Sequence, residues 1–457
     1  MEENKKSQIK ENKMGTMSIN KLLLSMSVPM MISMLVQALY NVVDSMFVSR
    51  ISENALTAVS LAFPAQNLMI AVASGTGVGV NALLSKSLGS KKFKTANDTA
   101  STAVFLWLAN FIVFALLGIL FSRLFFAIQT DVGEIIDYGH SYLSICMICS
   151  LGMFGQVAFE RLLQSTGKSF YSMITQSVGA VINIILDPIY IFGLFGVPKM
   201  GIAGAAIATV TGQTVACILA IYFNIRVNKE IHFSLKGFRP QAKIISGIYS
   251  VGVPSILMIA ISSLMTFGMN KILIAFSTTA TAVFGVYYKL QSFAFMPVFG
   301  LNNGMVPIVA YNYGAEKPDR ITKTLKLSIC YAVLIMLISF GIFHIFATDL
   351  LSVFNASENM LEIGIPALRI ISISFLFAGY CVVVSSVFQA LGHGFFSLVV
   401  SVLRQLIVLL PSAYILSKFS LNSVWFSFPI SEFASLVVCT VFLRYVYKHD
   451  INPLKKA

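Results

Sequence analysis

Long apolar runs are the feature that most constrains what this sequence can fold into. Each is about 20 residues or longer, the length that a helix needs to cross a hydrocarbon layer of roughly 30 Å. None alternates with a period of two, which predicts helices rather than a transmembrane barrel. The predicted spans are residues 22–48, 56–83, 99–121, 135–158, 171–192, 201–223, 245–270, 280–305, 324–347, 362–388, 396–416 and 422–443. With 57% hydrophobic and only 11% charged residues, the chain is predicted to be an all-α integral membrane protein with twelve transmembrane helices.

The placement of lysine and arginine predicts the orientation of these spans, because basic residues in short loops stay in the cytoplasm. If the N-terminus is inside, the inside segments hold most of the basic residues, including Arg161 and Lys168 in one short loop. The loops predicted to lie outside hold Arg50, Arg123, Lys199, Lys271 and Lys418. Both termini are therefore predicted to be cytoplasmic. The formal charge of +13 then follows from topology and contact with the lipid bilayer, and no nucleic-acid partner is needed.

The sequence repeats itself with a shift of 225 residues, which places Pro29 on Pro254. The same shift aligns several further positions, among them Gln66 with Gln291, Gly79 with Gly304, Gly167 with Gly392 and Ser172 with Ser397. An even number of helices in each half predicts a parallel internal repeat of two six-helix bundles that rock about a central cavity. The predicted domains are a disordered cytoplasmic tail (1–20), an N-terminal lobe (21–223), a cytoplasmic linker (224–243), a C-terminal lobe (244–445) and a cytoplasmic tail (446–457).

Acids embedded in the spans distinguish the two halves. Asp44 and Asp187 lie in the first and fifth spans, whereas the repeat places Met269 and Ser412 at the equivalent positions. A carboxylate near the bilayer centre costs about 2.5–3.5 kcal/mol, so a functional role is expected. Glu432, in the twelfth span, is the third embedded acid of this prediction.

Both aspartates are predicted to lie at a similar depth, about 6–8 Å below the outer ends of their helices at 1.5 Å per residue. Asn183 lies one turn from Asp187, and Thr209 descends the next helix toward the same level. Pro188 removes the donor for the carbonyl of Ile184, so the fifth helix can bend there. Such an oxygen-rich cluster suits a proton or a sodium ion. The alternative is that each aspartate caps a broken helix or bonds Tyr40 or Tyr190.

The sequence resembles the multidrug and toxic compound extrusion (MATE) family, most closely its MepA-type multidrug export subgroup. The resemblance lies in "VPMMISMLVQALYNVVDSMFVSRISENALTAVSLAFP", "GTGVGVNALLSKSLGSKK", "NIILDP" and "GIAGAAIAT". It implies a bacterial plasma-membrane antiporter, not an enzyme, that expels cationic or amphipathic drugs as protons or sodium ions enter. It also implies a cation-coupling site in the N-terminal lobe at Asp44, Asn183, Asp187 and Thr209, which would be metal ligands if the ion is sodium. Another branch of the family has a second sodium site that uses acids. Near the corresponding positions this sequence has Ser262 and Tyr380, and no acid.

A cavity for apolar cations would use adaptable polar, methionine and aromatic side chains. The candidates are Gln37, Tyr40, Gln66, Met69, Tyr287, Tyr288, Gln291 and Glu432. Glu432 either lines this cavity or pairs with Arg404 or Arg369. The glycines of "SGTGVGVNA" indicate close helix packing rather than phosphate binding. No cofactor is expected beyond the coupling ion, and the chain is expected to be a monomer.

Two other functions are compatible with parts of this pattern. A lipid-linked saccharide flippase of the same superfamily would need a cavity rich in basic residues, but Arg369, Arg404 and Lys289 are few and scattered. An intramembrane aspartyl protease could use Asp44 and Asp187 as its dyad, but the Gly-x-Gly-Asp surroundings of that class are missing. The sequence does not distinguish a proton from a sodium ion.

Overall fold

Long helices dominate the computed structural model of the protein, which describes residues 12–234, 238–354 and 356–455. The first half contains six helical spans. They are α1 (Ile19–Ser49), α2 (Glu53–Gly89), α3 (Phe93–Ala127), α4 (Gly133–Ile148 and Leu151–Ser165), α5 (Ser169–Phe192) and α6 (Ile202–Arg226). Helix α5 runs without interruption through Pro188.

The second half repeats this arrangement. Its spans are α7 (Ala242–Ile274), α8 (Thr278–Gly314), α9 (Pro318–Ile345), α10 (Glu358–Ser372 and Phe375–Leu391), α11 (Gly394–Leu416) and α12 (Leu421–Lys455). Ten helices are long and apolar enough to span a membrane singly, and the bent pairs α4 and α10 bring the number to twelve. The bends measure 44° in α4 and 50° in α10, at equivalent places in the repeat. The prediction of twelve helices in two six-helix bundles is confirmed.

Local signals at the helix ends also occur in pairs related by the repeat. The hydroxyl of Ser52 accepts from the backbone N–H of Ala55, and that of Ser277 accepts from Ala280, each at 3.0 Å. These bonds satisfy N–H groups that the first turn of a helix leaves free. Gly167 and Gly392 turn the chain after α4 and α10 with φ of 82° and 94°, a left-handed conformation that favours glycine.

The two halves meet where α1 packs against α8 and α2 packs against both α7 and α8. Glycines allow this close approach, since a Cβ at Gly79 would lie 2.0 Å from the Ile248 oxygen and one at Gly304 would lie 2.4 Å from Ser27 Oγ. Ser27 Oγ also donates to the carbonyl of Leu301 at 3.1 Å. The predicted packing role of the glycine-rich run in α2 is confirmed at this crossing.

Residues 12–17 form a strap between the halves, on the face that carries both ends of the described chain; we call this the terminal face. Met14, in the short helix Lys13–Thr16, is fully buried. Its carbonyl accepts from Asn312 Nδ2 at 3.0 Å and Arg320 Nη2 at 2.9 Å, both in the second half. Asn12 donates to the carbonyl of Thr166, in the first half, at 3.0 Å. The segment expected to be disordered up to residue 20 is therefore ordered from residue 12, because an apolar side chain finds a pocket between the lobes; residues 1–11 lie outside the described chain.

Candidate functional site

Asn183, Asp187 and Thr209 form a polar cluster where α5 packs against α6. Asp187 is fully buried and Asn183 is nearly so. With its amide nitrogen toward Asp187, Asn183 donates to Oδ2 at 3.2 Å, and its oxygen accepts from the hydroxyl and the backbone N–H of Thr209, each at 3.1 Å. The sequence therefore placed these three residues together correctly, because Asn183 and Asp187 are one helical turn apart and α6 follows α5 directly.

Asp44 on α1 reaches the same cluster. Its carboxyl group lies within hydrogen-bonding reach of the carboxyl group of Asp187. The Oδ1 atom of each acid is buried and has no partner. Among the ion pairs of the described residues, none involves either acid, and no hydrogen bond joins them to Tyr40 or Tyr190. The two carboxyl groups thus face each other without a protein cation.

A cavity of about 160 Å³ lies beside this cluster, lined by residues of the first half and by Asn303 of α8 in the second half. Asn183 and Thr209 belong to both, so the polar cluster forms part of the cavity wall. Gln37 and Tyr40 line the cavity as predicted, and the oxygen of Gln37 accepts from Gln176 Nε2 at 2.8 Å. The other lining residues are Met30, Met34, Ile70, Ser74, Met153, Gln156, Val157, Glu160, Arg161, Gln164, Gln176, Gly179, Ala180, Gln213 and Asn303.

Sequence reasoning missed two charged residues in this wall, Glu160 and Arg161. The fourth span was predicted to end at residue 158, and Arg161 was assigned to an inside loop, whereas α4 continues to Ser165. Glu160 is 7% exposed, and its Oε1 accepts from Thr175 Oγ1 at 2.8 Å and Gln156 Nε2 at 3.1 Å. The repeat contained the signal, because it aligns Glu160 with Ser385, which lies inside the span predicted in the second half.

Two predicted cavity residues of the first half lie elsewhere. Met69 is 3% exposed and belongs to the apolar core formed with α3 and α4. Gln66 donates to the hydroxyl of Tyr142 at 3.3 Å. Both are on the face of α2 that packs within its own lobe, a distinction that composition does not reveal.

The candidates from the second half are also away from this cavity. Glu432 pairs with Arg404 at 3.4 Å, which decides between the two alternatives for that acid, while Arg369 donates to the carbonyl of His344 at 3.2 Å. Tyr287 is 1% exposed and packs against Phe428. Tyr288 is 37% exposed, and Gln291 is half-buried. The repeat places Gln291 at the position of Gln66, so the two halves share a helix face without sharing this cavity.

The sequence resembles a family in which another branch binds sodium in the second half. At the corresponding positions, the second half of this protein has no acid. Ser262 Oγ donates to the carbonyl of Met258 at 3.3 Å, and the hydroxyl of Tyr380 bonds that of Thr440 at 3.0 Å. Over residues 12–234, 238–354 and 356–455, no group of three or more His, Cys, Asp or Glu side chains could hold a metal ion. The embedded carboxyl pair belongs to the first half.

Comparison with known proteins connects this chain to a family. A profile of the MatE family matches residues 29–189 and, separately, residues 254–415. The multidrug export protein MepA of Staphylococcus haemolyticus is 26% identical over 417 residues, 91% of each chain. MepA of Staphylococcus aureus (strain NCTC 8325) is 24% identical over 414 residues, 90% of each chain. A solved structure described as the outward-facing conformation of a multidrug resistance MATE family transporter of the MOP superfamily is similar with a TM-score of 0.90 and 25% identity, covering 98% of this chain and 99% of that one. The double match agrees with the internal repeat.

Proposed function

This chain belongs to the MatE family, and we propose that it exports cationic or amphipathic drugs in exchange for a cation that binds at Asp44 and Asp187. The relatives named MepA are multidrug export proteins, and the similar solved structure is a multidrug resistance transporter. The twofold arrangement of helical bundles around a cavity supports transport by alternating access.

The unpaired carboxyl pair is the observation that carries this proposal. Two unit negative charges about 4 Å apart repel by roughly 4 kcal/mol at an effective dielectric constant of about 20. Asp44 and Asp187 are within hydrogen-bonding reach of each other, yet each has a buried oxygen without a partner. A cation is therefore needed to hold both carboxyl groups together in this arrangement.

Direct contact between the two carboxyl groups favours a proton as that cation. One shared proton lets a carboxylic acid donate to the neighbouring carboxylate. A sodium ion would draw on the same oxygens of Asp44, Asp187, Asn183 and Thr209, which are suitable hard ligands. With the amide nitrogen of Asn183 toward Asp187, however, the amide oxygen already accepts from Thr209. Sodium binding would need that bond to break.

Binding of the cation is coupled to binding of the drug through the part of the cavity wall that the polar cluster forms. Asn183 contacts both Asp187 and the cavity, so a change of charge on the acids changes the surface that meets a drug. Entry of a cation onto the pair weakens attraction of the lobe for a cationic drug, which then leaves. One charge moving through ~100 mV supplies about 2.3 kcal/mol, enough for a drug gradient of roughly fifty-fold.

The position of the contacts between the lobes supports an outward-open conformation. The glycine crossings and the strap lie in the half of the molecule near the terminal face. We assign that face to the cytoplasm from its lysines and arginines. The cavity then opens to the outside, and return to the inside requires these contacts to separate.

The two other functions considered from the sequence have less support. A flippase for a pyrophosphate-linked saccharide needs several cations, whereas the cavity wall in the described chain contains Arg161 beside the acid Glu160. The aspartyl pair would suit peptide hydrolysis, but the chain belongs to a family of transporters. A peptide-cleavage assay on the purified protein is expected to give no product.

The proposal is tested by Asp44→Asn in proteoliposomes loaded with a fluorescent cationic dye. A pH gradient and a sodium gradient are imposed separately, and dye efflux is followed in each. We expect the pH gradient to drive efflux by the unaltered protein. Asp44→Asn should reduce that efflux by about tenfold or more, since loss of one charged partner removes at least ~1.4 kcal/mol of coupling.

The matched control is Asp137→Asn, which removes an exposed acid that pairs with Arg123 on the surface. This variant should transport as the unaltered protein does. Gradient-driven efflux that survives Asp44→Asn would contradict the proposed coupling site. Efflux driven by the sodium gradient alone would replace the proton with sodium as the coupling ion.

A further inference from the structure

The last residues of α12 lie on the terminal face and are held there by packing. The helix widens into a π-helical turn at Tyr447–Ile451, and a short 3₁₀ turn follows at Pro453–Lys455. Ile451 is fully buried, so it anchors these turns. We call residues 447–455 the C-terminal segment. Turns of the π type often occur at functional sites, yet neither the proposed coupling site nor the cavity uses this segment.

Asp450, in the C-terminal segment, is the centre of a polar network. Its Oδ2 lies 3.1 Å from His393 Nε2, at the turn between α10 and α11. Its Oδ1 accepts a long hydrogen bond of 3.5 Å from the hydroxyl of Tyr313, in the last turn of α8. The Asp450 side chain is only 19% exposed, so the carboxylate depends on these two partners in place of water. Both partners belong to the second half.

The ring of Tyr313 extends this network to the first half. Lys86 Nζ, on α2, lies over the ring at 4.7 Å from its centroid, the position of a cation–π contact. Asp450 also attracts the ammonium group of Lys86. A phenol that donates to a carboxylate is polarised so that its ring becomes more negative, which strengthens the attraction for a cation. The C-terminal segment therefore supports a contact between the lobes.

The backbones of the two lobes are in close contact at the same place. A Cβ at Gly314 would lie 2.0 Å from the carbonyl oxygen of Lys86, and one at Gly89 would lie 1.9 Å from that of Tyr311. Ser90 Oγ donates to the carbonyl of Gly314 at 2.9 Å. These backbones must separate before the terminal face can open, and the cation–π contact breaks with them.

His393 makes this network sensitive to pH, because histidine is the side chain that ordinarily gains its charge between about pH 5 and 8. Its ring stacks on Phe396 with the centroids 5.2 Å apart, and its side chain is 33% exposed, so protons can reach it. His449, in the same segment, instead bonds the carbonyl of Tyr445 at 2.9 Å. The titratable and charged groups around His393, directly or through Asp450, are Asp450 of α12, Tyr313 of α8, Lys86 of α2 and Lys92 just beyond α2.

We propose that Asp450 is a latch on the cytoplasmic side, which holds the lobes together through Tyr313 and Lys86 and tightens when His393 gains a proton. A charged imidazolium attracts the carboxylate more strongly than a neutral ring does. It also repels Lys86, but His393 contacts Asp450 directly, whereas Lys86 reaches the network through the ring of Tyr313. The attraction acts over the shorter distance and exceeds the repulsion. The latch therefore strengthens as the pH falls.

The inference rests on the proposed proton-coupled export and adds regulation to it. In that cycle, each opening of the terminal face releases a proton into the cytoplasm. A latch that tightens in an acidic cytoplasm slows this opening, and so limits proton entry when the cytoplasm already holds an excess of protons.

The test measures hydrogen exchange by mass spectrometry on the purified full-length protein at about pH 6 and about pH 8. Peptides from residues 84–92 and 308–315 report where the lobes meet, and each rate is divided by the intrinsic rate at that pH so that it reports opening. Asp450→Asn should raise exchange there by about fivefold, as expected for loss of hydrogen bonds to a charged group. Lys86→Met should raise it by about twofold or more, from loss of the cation–π contact. The double variant should exceed Asp450→Asn by less than about twofold, because both residues act through one latch.

His393→Gln isolates the effect of pH. The carboxyl pair of the coupling site also titrates, so the latch accounts only for the part of the pH effect that His393→Gln removes. Relative to this variant, the unaltered protein should exchange about threefold more slowly at pH 6 and about equally at pH 8, where histidine is neutral. His449→Gln is the matched control and should behave as the unaltered protein at both values of pH.

The outcomes separate opening from unfolding and from transport. Exchange within α5 should stay unchanged in every variant, and a general increase in Asp450→Asn would give Asp450 a structural role and overturn the latch. Unchanged exchange at residues 84–92 and 308–315 in either Asp450→Asn or Lys86→Met would also overturn it. Equal exchange of His393→Gln and the unaltered protein at pH 6 would contradict the pH dependence. The expected exchange without gradient-driven dye efflux in the proteoliposomes would leave the latch standing and contradict the proposed export function.

Discussion

Charged residues inside the spans differ in how their charge is compensated. Arg404 and Glu432 neutralise each other across α11 and α12. Asp44 and Asp187 face each other without a cation, whereas Arg161 is held by the side chains of Gln164 and Asn303 in the cavity wall that also contains Glu160. The compensated pair is suited to a structural role, whereas the uncompensated groups are the ones that a mobile ion or substrate can satisfy.

The Arg404 and Glu432 pair yields a prediction about stability. Glu432→Gln leaves the guanidinium without its anion and should lower the free energy of unfolding by about 2–3 kcal/mol, below the 3–5 kcal/mol of a fully buried pair, because the Arg404 side chain is 27% exposed. The loss is measured as a lower midpoint of thermal unfolding in detergent. The double variant Arg404→Met with Glu432→Leu should regain most of the loss, since no unpaired charge remains. A double variant less stable than Glu432→Gln would show that the pair stabilises the lobe by more than mutual neutralisation.

Small residues determine which helices can pack closely against each other. The crossing of α2 with α7 and that of α8 with α1 use glycines at equivalent positions of the repeat, Gly79 and Gly304. At both, a side chain would overlap the partner helix. The contact between the lobes is thus duplicated along with the helices, and each half contributes one glycine-bearing helix to it.

Substitution at the crossing of α2 and α7 should separate the lobes. Gly79→Ala places a Cβ 2.0 Å from the backbone oxygen of Ile248, and overpacking of this kind costs about 1–3 kcal/mol. We expect a lower midpoint of thermal unfolding and slower efflux. Gly285→Ala is the control, because no atom lies within 4 Å of a Cβ at that helical position. Similar effects of the two substitutions would argue against the crossing as the constrained contact.

The terminal strap joins the two lobes of the whole molecule. Met14 is buried between them, and Asn312 and Arg320 bind its carbonyl from the second half. Lys13 weakens this docking, because burial and the nearby Lys168 lower the pKa of its ammonium group, against the opposing effect of Glu230. A lowered pKa means that the docked strap disfavours the charged form, so docking strengthens as the pH rises through that pKa.

Two substitutions in the strap should therefore act in opposite directions. Met14→Asp places a charge between the lobes and should increase hydrogen exchange of residues 300–317, measured by mass spectrometry. Lys13→Met removes a disfavoured charge at neutral pH and should decrease exchange there. Lys229→Asp, at an exposed position, is the control and should leave exchange unchanged. Unchanged exchange in Met14→Asp would show that the strap does not hold the lobes together.

The sequence by itself determined the membrane class, the twelve spans, the duplication and the cluster of Asn183, Asp187 and Thr209. These features depend on local properties: run length, a fixed repeat distance and the spacing of one helical turn. The face that each residue of a span presents is decided by tertiary packing. The sequence therefore did not separate Gln37, in the cavity wall, from Met69, in the core.

Charged residues near the end of a span were the other feature that the sequence alone did not place correctly. Glu160 and Arg161 resemble the end of a span, because ionic side chains normally mark the interface with water. Only the tertiary structure decided that α4 continues past them. Both side chains line a cavity, where α5 and α8 supply polar partners. A buried charge is stable where other elements solvate it, and which elements do so is a property of the folded lobes and not of the chain nearby.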